Sequence, residues 1–454
     1  MRTLLLSLLP LLLVASAGEG KAADTARPNI LLIISDDQGW GDFGFMGNPQ
    51  IGTPNLDKLA AQSLTFHRGY TPVPLCRPSL ACIATGLYPH QHGVTGNDPD
   101  LPDGANSMGS RGNPKYASYY DKVVGSFAQR PNLIRDLTSR GYVSFQTGKW
   151  WEGDPVKTAG FSHAMTAGEG KGDRHGGAGL EIGRKGLAPI YQFIEQAGDK
   201  PWLAWYAPML PHTPHTPPAE LLEKYKKLAP SDAVARYWAS VEWFDRTCGE
   251  LIAYLEKSGQ RANTLIFFTT DNGWIQHPSK ASDFGDRSKL TPYEGGVRTP
   301  IMICWPGKVT PRIDTQHLAS NLDLWPTLAA LLKTPVPDGL PGINLTDEQA
   351  VAAREVVFGE QYTHNIADVD QPARSLETRW MIDGWWKLIV PNNSMRPDAK
   401  PELYDLLNDP WEKADLASKE SARVQALLKK LNAWWLPAGN PKEENEPQIN
   451  ADEH

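Results

Sequence analysis

Short apolar, β-branched runs alternate along this chain with segments in which apolar residues recur at helical spacing, and that alternation predicts an α/β fold. The run 29–35 (NILLIIS) is bounded by Pro28 and by Asp36-Asp37, and reads as a buried strand ending in two acids. Thr53-Pro54 then reads as a helix N-cap with proline at the first helical position, followed by Leu56, Leu59, Ala60 and Leu64 on one face. The pattern continues with a helix over 132–140, strands over 142–146 and 202–206, a long helix over 235–257 and a strand over 264–270. A large, mostly parallel central sheet flanked by helices follows, because parallel strands need crossover connections.

Two Gly-rich stretches, 98–130 and 167–186, lack core-like periodicity and read as insertions at the rim of a site. Beyond the prolines of 335–341, strand-like runs at 355–359, 380–382, 385–390 and 402–406 precede a helix over 420–435. The expected division is a leader at 1–23, a catalytic domain over 27–335, a smaller C-terminal α+β subdomain over 336–440 and a disordered acidic tail over 441–454.

The leader changes where the protein should work. Met1-Arg2, an apolar run over 4–14 and Ala15-Ser16-Ala17 follow the order of a secretory signal, so an exported protein, periplasmic or secreted, is expected. That run is shorter than the roughly 20 residues a membrane span needs, so no membrane attachment is expected after its removal. Cys76, Cys82, Cys248 and Cys304 are too few and scattered for a disulfide framework, forming at most one or two bridges. A formal charge of -7 and the lack of any Lys/Arg run exclude a nucleic-acid partner. An anionic substrate must then be met by a few placed cations.

Ligands of open parallel sheets bind beyond the carboxyl ends of the strands. Two predicted strands end in such groups, one in Asp36-Asp37 and one in Asp271-Asn272-Gly273. Three carboxylates and an amide oxygen converging there would repel unless a hard cation lay among them, and oxygen donors suit Ca2+, the first choice, or Mg2+. Taken alone, Asp36-Asp37 could equally be a helix N-cap pair. A third segment, CRPSLACIATG, has Pro78 near a helix start and Gly86 as terminator, which puts Cys76 at a helix N-terminus. Such a position suits a bound anion or a nucleophile, though a lone cysteine there is commonly a buried structural one.

The segments NILLIISDDQGWGD, TPNLDKLAAQSLTFHRGY, CRPSLACIATGLYPHQHGV, TGKWW, PHTPH, TTDNG and YEGGVRTP strongly resemble the sulfatase family, in that family's order, and ELYDLLNDPWEKADLA resembles its C-terminal part. The resemblance implies an alkaline-phosphatase-like fold and conversion of Cys76 to formylglycine by a formylglycine-generating enzyme. The hydrate of that aldehyde would attack sulfur, form a sulfate ester and expel sulfate through its second hydroxyl. The cation on Asp36, Asp37, Asp271 and Asn272 would polarise a sulfate oxygen. Lys149 and Lys289 would neutralise the transferring group, with His215 the first choice, and His212 the close competitor, as proton donor or leaving-oxygen contact. The implied substrate is a sulfated carbohydrate or small organic sulfate ester.

Two positions depart from the family pattern, and the loop after Asp271-Asn272-Gly273, running Trp274-Ile275-Gln276-His277-Pro278, is also unusual. Leu80 stands where the cysteine motif carries Arg, and Trp151 stands where Gly-Lys-Trp-His carries its His. These keep two other readings open, a phosphoester hydrolase on the same fold and a catalytically silent protein that binds glycan sulfate. Tryptophan is abundant, with sixteen residues, and Trp150, Trp151, Trp274, Trp385 and Trp386 could stack on sugar rings or simply pack.

Overall fold

The computed structural model describes residues 27–101, 113–167 and 176–437. The expected leader at 1–23 and tail at 441–454 lie outside these residues, as do parts of both Gly-rich stretches. A nine-stranded sheet is built from β1 (Asn29–Ser35), β2 (Leu64–Tyr70), β3 (Val143–Gly148), β4 (His163–Ala164), β5 (Trp202–Ala207), β6 (Thr264–Thr270), β7 (Arg298–Cys304), β8 (Arg312–Asp314) and β9 (Ala319–Ser320). Its order is β4-β3-β5-β1-β6-β7-β2-β8, with β9 beside β2. Every neighbouring pair is parallel except those of β7, which runs antiparallel to both β6 and β2.

β1 explains why a continuous apolar run was needed. Ile30, Leu32 and Ile34 enter one core, while Leu31 and Ile33 enter the core on the opposite face. The second core is closed by the long helix Asp232–Lys257 through Phe244, Cys248, Leu251 and Leu255. In-register pairing of Ser35 with Thr270 brings the ends of β1 and β6 to one level.

Three expectations change. Leu64 opens β2 instead of extending the helix Pro54–Ala61, because pairing with Ile303 of β7 wins over helical spacing. The stretch 98–130 is not wholly irregular: Asn113 caps a 15-residue helix, Pro114–Ala128, that buries Tyr116, Val123 and Phe127. Pro78 sits third in the helix Cys76–Thr85, not first, so Cys76 itself is the first helical residue. All four cysteines are buried and free. Among the described residues no helix is long and apolar enough to cross a membrane.

The C-terminal sheet is antiparallel, in the order β10 (Val356–Tyr362), β11 (Leu376–Asp383), β12 (Trp386–Pro391) and β13 (Glu402–Asp405). Its alternation is two-sided. Met381, Leu388 and Leu403 pack under the helix Ser421–Trp434, whereas Val357, Trp380 and Ile382 pack on Tyr70, Val297 and Leu318 of the large-sheet region. The charges of Lys387, Glu294 and Glu412 are buried at that junction, with Lys387 Nζ 3.0 Å from each carboxylate.

Candidate active site

Adjacent residues of an extended strand point in opposite directions, so two neighbouring acids normally cannot serve one site. Here Asp37 leaves the strand at φ 58, a left-handed conformation that Asp tolerates better than most residues. That turn, fixed by the Asp37 N–H donating to Asp271 Oδ1 at 3.0 Å, brings both carboxylates to one point. Asn272 joins from β6, its Nδ2 donating to Asp37 Oδ1 at 2.8 Å. The four residues proposed as cation ligands are therefore together.

Their remaining oxygens supply the test of fit. Asp36 Oδ2, Asp271 Oδ2 and Asn272 Oδ1 are buried and have no hydrogen-bond donor. Leaving three buried acceptors bare is unfavourable, and a hard cation satisfies such a set without donors. Burial pushes the Asp36 and Asp271 carboxyls up, against the pull of Lys149, which is the response of acids crowded without enough positive charge. Asp37 differs: burial opposes ionisation, but Lys289, His212 and Lys149 outweigh it and hold this carboxyl well below the usual range.

Cys76 faces this cluster from the first turn of its helix, 1% exposed. Lys289 Nζ lies 3.1 Å and Lys149 Nζ 3.4 Å from Sγ. The same ammonium groups hold the acids, Lys149 on Asp36 Oδ1 at 2.8 Å and Lys289 on both Asp37 oxygens at 2.6 and 2.7 Å. Burial lowers and the neighbouring carboxylates raise the affinity of both lysines for protons, and the net effect is upward, so both stay charged.

The histidines separate. His212 reaches Asp37 Oδ2 at 3.3 Å through Nε2, and it shares a cluster of ligand atoms with Asp36, Asp37 and Cys76, all within 4.8 Å of one another. Burial and Lys149 push its pKa well below the ordinary value, against the pull of Asp37. His215 instead lies between the rings of Tyr237 and Trp274, 5.4 and 6.3 Å away, with both ring nitrogens unbonded. Burial lowers it to about 4.

At the two departing positions, Leu80 and Trp151 are 5% and 3% exposed and line one small cavity with Phe127 and Trp150. The Trp151 ring lies 5.2 Å from Lys149 Nζ, a cation–π support in place of a polar one. Arg77 turns away from the nucleophile and forks onto Glu152 at 2.7 and 2.9 Å.

Two supports escaped the sequence reading. Ser79 Oγ donates to Asp271 O at 2.5 Å, tying the Cys76 helix to the end of β6. Tyr237 Oη bonds the Asp42 carboxylate at 2.5 Å and approaches Asp37 O at 3.4 Å. No local pattern could have exposed Tyr237, which stands 200 residues from Asp37 on the long helix.

Comparison with known proteins agrees with this arrangement. Residues 28–334 match the sulfatase family profile, and residues 283–434 match the profile described as N-sulphoglucosamine sulphohydrolase, C-terminal. Human N-acetylgalactosamine-6-sulfatase is 30% identical over 368 residues, covering 72% of this chain and 67% of that protein. Human arylsulfatase A is 31% identical over 383 residues, covering 74% and 70%. The crystal structure of Ps i-CgsB in complex with k-i-k-neocarrahexaose has the same fold, with a TM-score of 0.70 at 23% identity over 92% of this chain and 94% of that one.

Proposed function

This chain belongs to the sulfatase family of sulfuric ester hydrolases, and we propose that it cleaves a sulfate ester on a carbohydrate, with residue 76 as nucleophile and one divalent cation on Asp36, Asp37, Asp271 and Asn272. The observation that carries this reading is the set of three donor-less buried oxygens on Asp36, Asp271 and Asn272, residues joined to Asp37, whose Oδ1 lies 3.8 Å from Cys76 Sγ. Ca2+ suits those oxygens and, when bound, would polarise a sulfate oxygen.

An unaltered Cys76 would be a poor nucleophile, because burial pushes its thiol up despite the pull of Lys149 and Lys289. Conversion to formylglycine would supply an aldehyde hydrate at the same place. Lys149 and Lys289 then meet the sulfate's charge, since each already touches both Sγ and a carboxylate. His212, beside Asp37, can hold a proton between the leaving oxygen and the acid cluster. The relatives named above act on N-acetylgalactosamine 6-sulfate and aryl sulfate by their names, which motivates a carbohydrate or aryl sulfate substrate here. Maturation by a formylglycine-generating enzyme and export to the periplasm or medium belong to the same proposal.

Leu80 and Trp151 favour one second reading, a protein that holds glycan sulfate without turnover. Natively produced, metal-replete protein should hydrolyse aryl sulfate well ahead of aryl phosphate, and mass spectrometry of the peptide around residue 76 should show the aldehyde. An intact thiol together with binding but no turnover would replace hydrolysis by the second reading.

A further inference from the structure

The segment 208–218 (PMLPHTPHTPP) carries both candidate histidines and contains five prolines. Proline has no N–H, so this segment cannot take part in a regular ladder, and its carbonyls need donors from elsewhere. One side chain from the Gly-rich stretch supplies three of them, Met209, His212 and Pro214, beside the Asp36 N–H on Leu210 O at 3.0 Å. Arg184 Nε donates to Met209 O at 2.9 Å, Nη2 to Met209 O at 2.6 Å and to His212 O at 2.7 Å, and Nη1 to Pro214 O and Thr216 Oγ1, both at 3.1 Å. A guanidinium has five N–H groups, and these five bonds engage its whole donor set. Its carbon lies 5.6 Å from the ring centre of Trp243 on the long helix, so the plane is supported from behind. The residue before it must be glycine: Gly183 has φ +77, and a Cβ there would meet Tyr206 Oη of β5 at 2.7 Å.

We infer that Arg184 is the positioning residue for His212, the group that fixes the conformation of the proline-rich loop and hence the approach of the imidazole to Asp37. Its contact to His212 is through the backbone carbonyl, so it acts on the imidazole through the loop. A lysine offers donors from one nitrogen and cannot span Met209 to Thr216. As a statement about catalysis this rests on the sulfatase reading above; as a statement about the loop it does not.

The experiment uses the full natively produced chain with Arg184→Ala and Arg184→Lys, aryl sulfate kinetics, and hydrogen–deuterium exchange. Arg184→Ala should lower kcat by about tenfold to a hundredfold with little change in KM, the size expected when a reacting group is displaced by about an ångström. Added guanidinium at low concentration should recover part of that loss, and Arg184→Lys should not. Peptides covering 208–218 should exchange faster while those of β1 and β6 stay unchanged. An unchanged kcat in Arg184→Ala overturns the proposal, as does an activity loss that guanidinium cannot rescue and that comes with faster exchange throughout the sheet. Should the wild type fail to turn over any sulfate ester, the proposed function falls, but unchanged exchange over 208–218 in Arg184→Ala would still overturn the role of Arg184 by itself.

Discussion

The acids of the site, with Lys149 at the end of β3, and two other basic groups, His212 and Lys289, are held by different means. Asp36, Asp37, Asp271 and Asn272 stand at the ends of β1 and β6, paired in register up to Ser35 and Thr270, so the backbone ladder sets their places. Lys289 sits on a loop without a ladder, and His212 on one joined to the end of β1 by the single bridge of Pro211 with Asp36. The loop of Lys289 has left-handed residues at Arg287 and Leu290, and it is held by Leu290 N–H on Pro74 O at 2.9 Å and by Gln361 Nε2 on Leu290 O at 2.9 Å. Gln361 belongs to β10, so the C-terminal sheet reaches the loop that carries Lys289. Backbone pairing gives a fixed cluster for charge; side-chain tethers give groups that can be tuned, or lost, from a distance.

If that contrast is right, the largest loss should come from the ladder half. Asp37→Asn removes the carboxylate that receives Lys289, and kcat/KM should fall by about a thousandfold or more, the scale of losing one preorganised electrostatic contact. Retention of a tenth of the activity would break the distinction. Removing metal sharpens it: at a hundredfold excess of Ca2+ over its Kd the fold should gain about 3 kcal/mol, read as a drop in Tm on chelation. Asp271→Asn should abolish that drop and His212→Asn should leave most of it.

Smaller effects belong to the tethered half. Glu412, pushed up to about 7 by burial and by Glu294 against the pull of Lys387, is protonated in the folded state over a range where it ionises when unfolded. Its contribution is complete below the unfolded value near 4.5 and is lost as pH rises through about 7. Stability should therefore fall by about 2 kcal/mol between about pH 5.5 and 8.5, and Glu412→Gln should flatten the profile. Smallest of all, Gln361→Ala should lower kcat by only about fivefold, since one of two tethers on Leu290 remains. A collapse as deep as that of Asp37→Asn would mean that the two halves are not different in kind.

The same contrast describes what the sequence could disclose. The acids were legible because strand, strand end and acid are consecutive in the chain, and Cys76 was legible because a proline and a glycine bracket its helix. Leu64 was misread because a helix and a strand compete for one leucine, and only β7, more than two hundred residues on, decides the outcome. The ranking of His215 ahead of His212 had no local basis, because the surroundings of the two rings are set by Arg184, Tyr237 and Trp274, none of them local to the loop. Lys149 and Lys289 were found through motif resemblance; nothing in their own neighbourhoods states that they meet at one sulfur atom.

The burial of Cys76 sets a clock. A side chain 1% exposed at the start of a wholly buried helix is out of reach of the active site of a second macromolecule. Any enzyme that rewrites this residue must finish before β1, β2 and β6 come together, while the segment is still an open strand of polypeptide. For any such editing the order, editing first and closure afterwards, is thus written into the depth at which one atom lies.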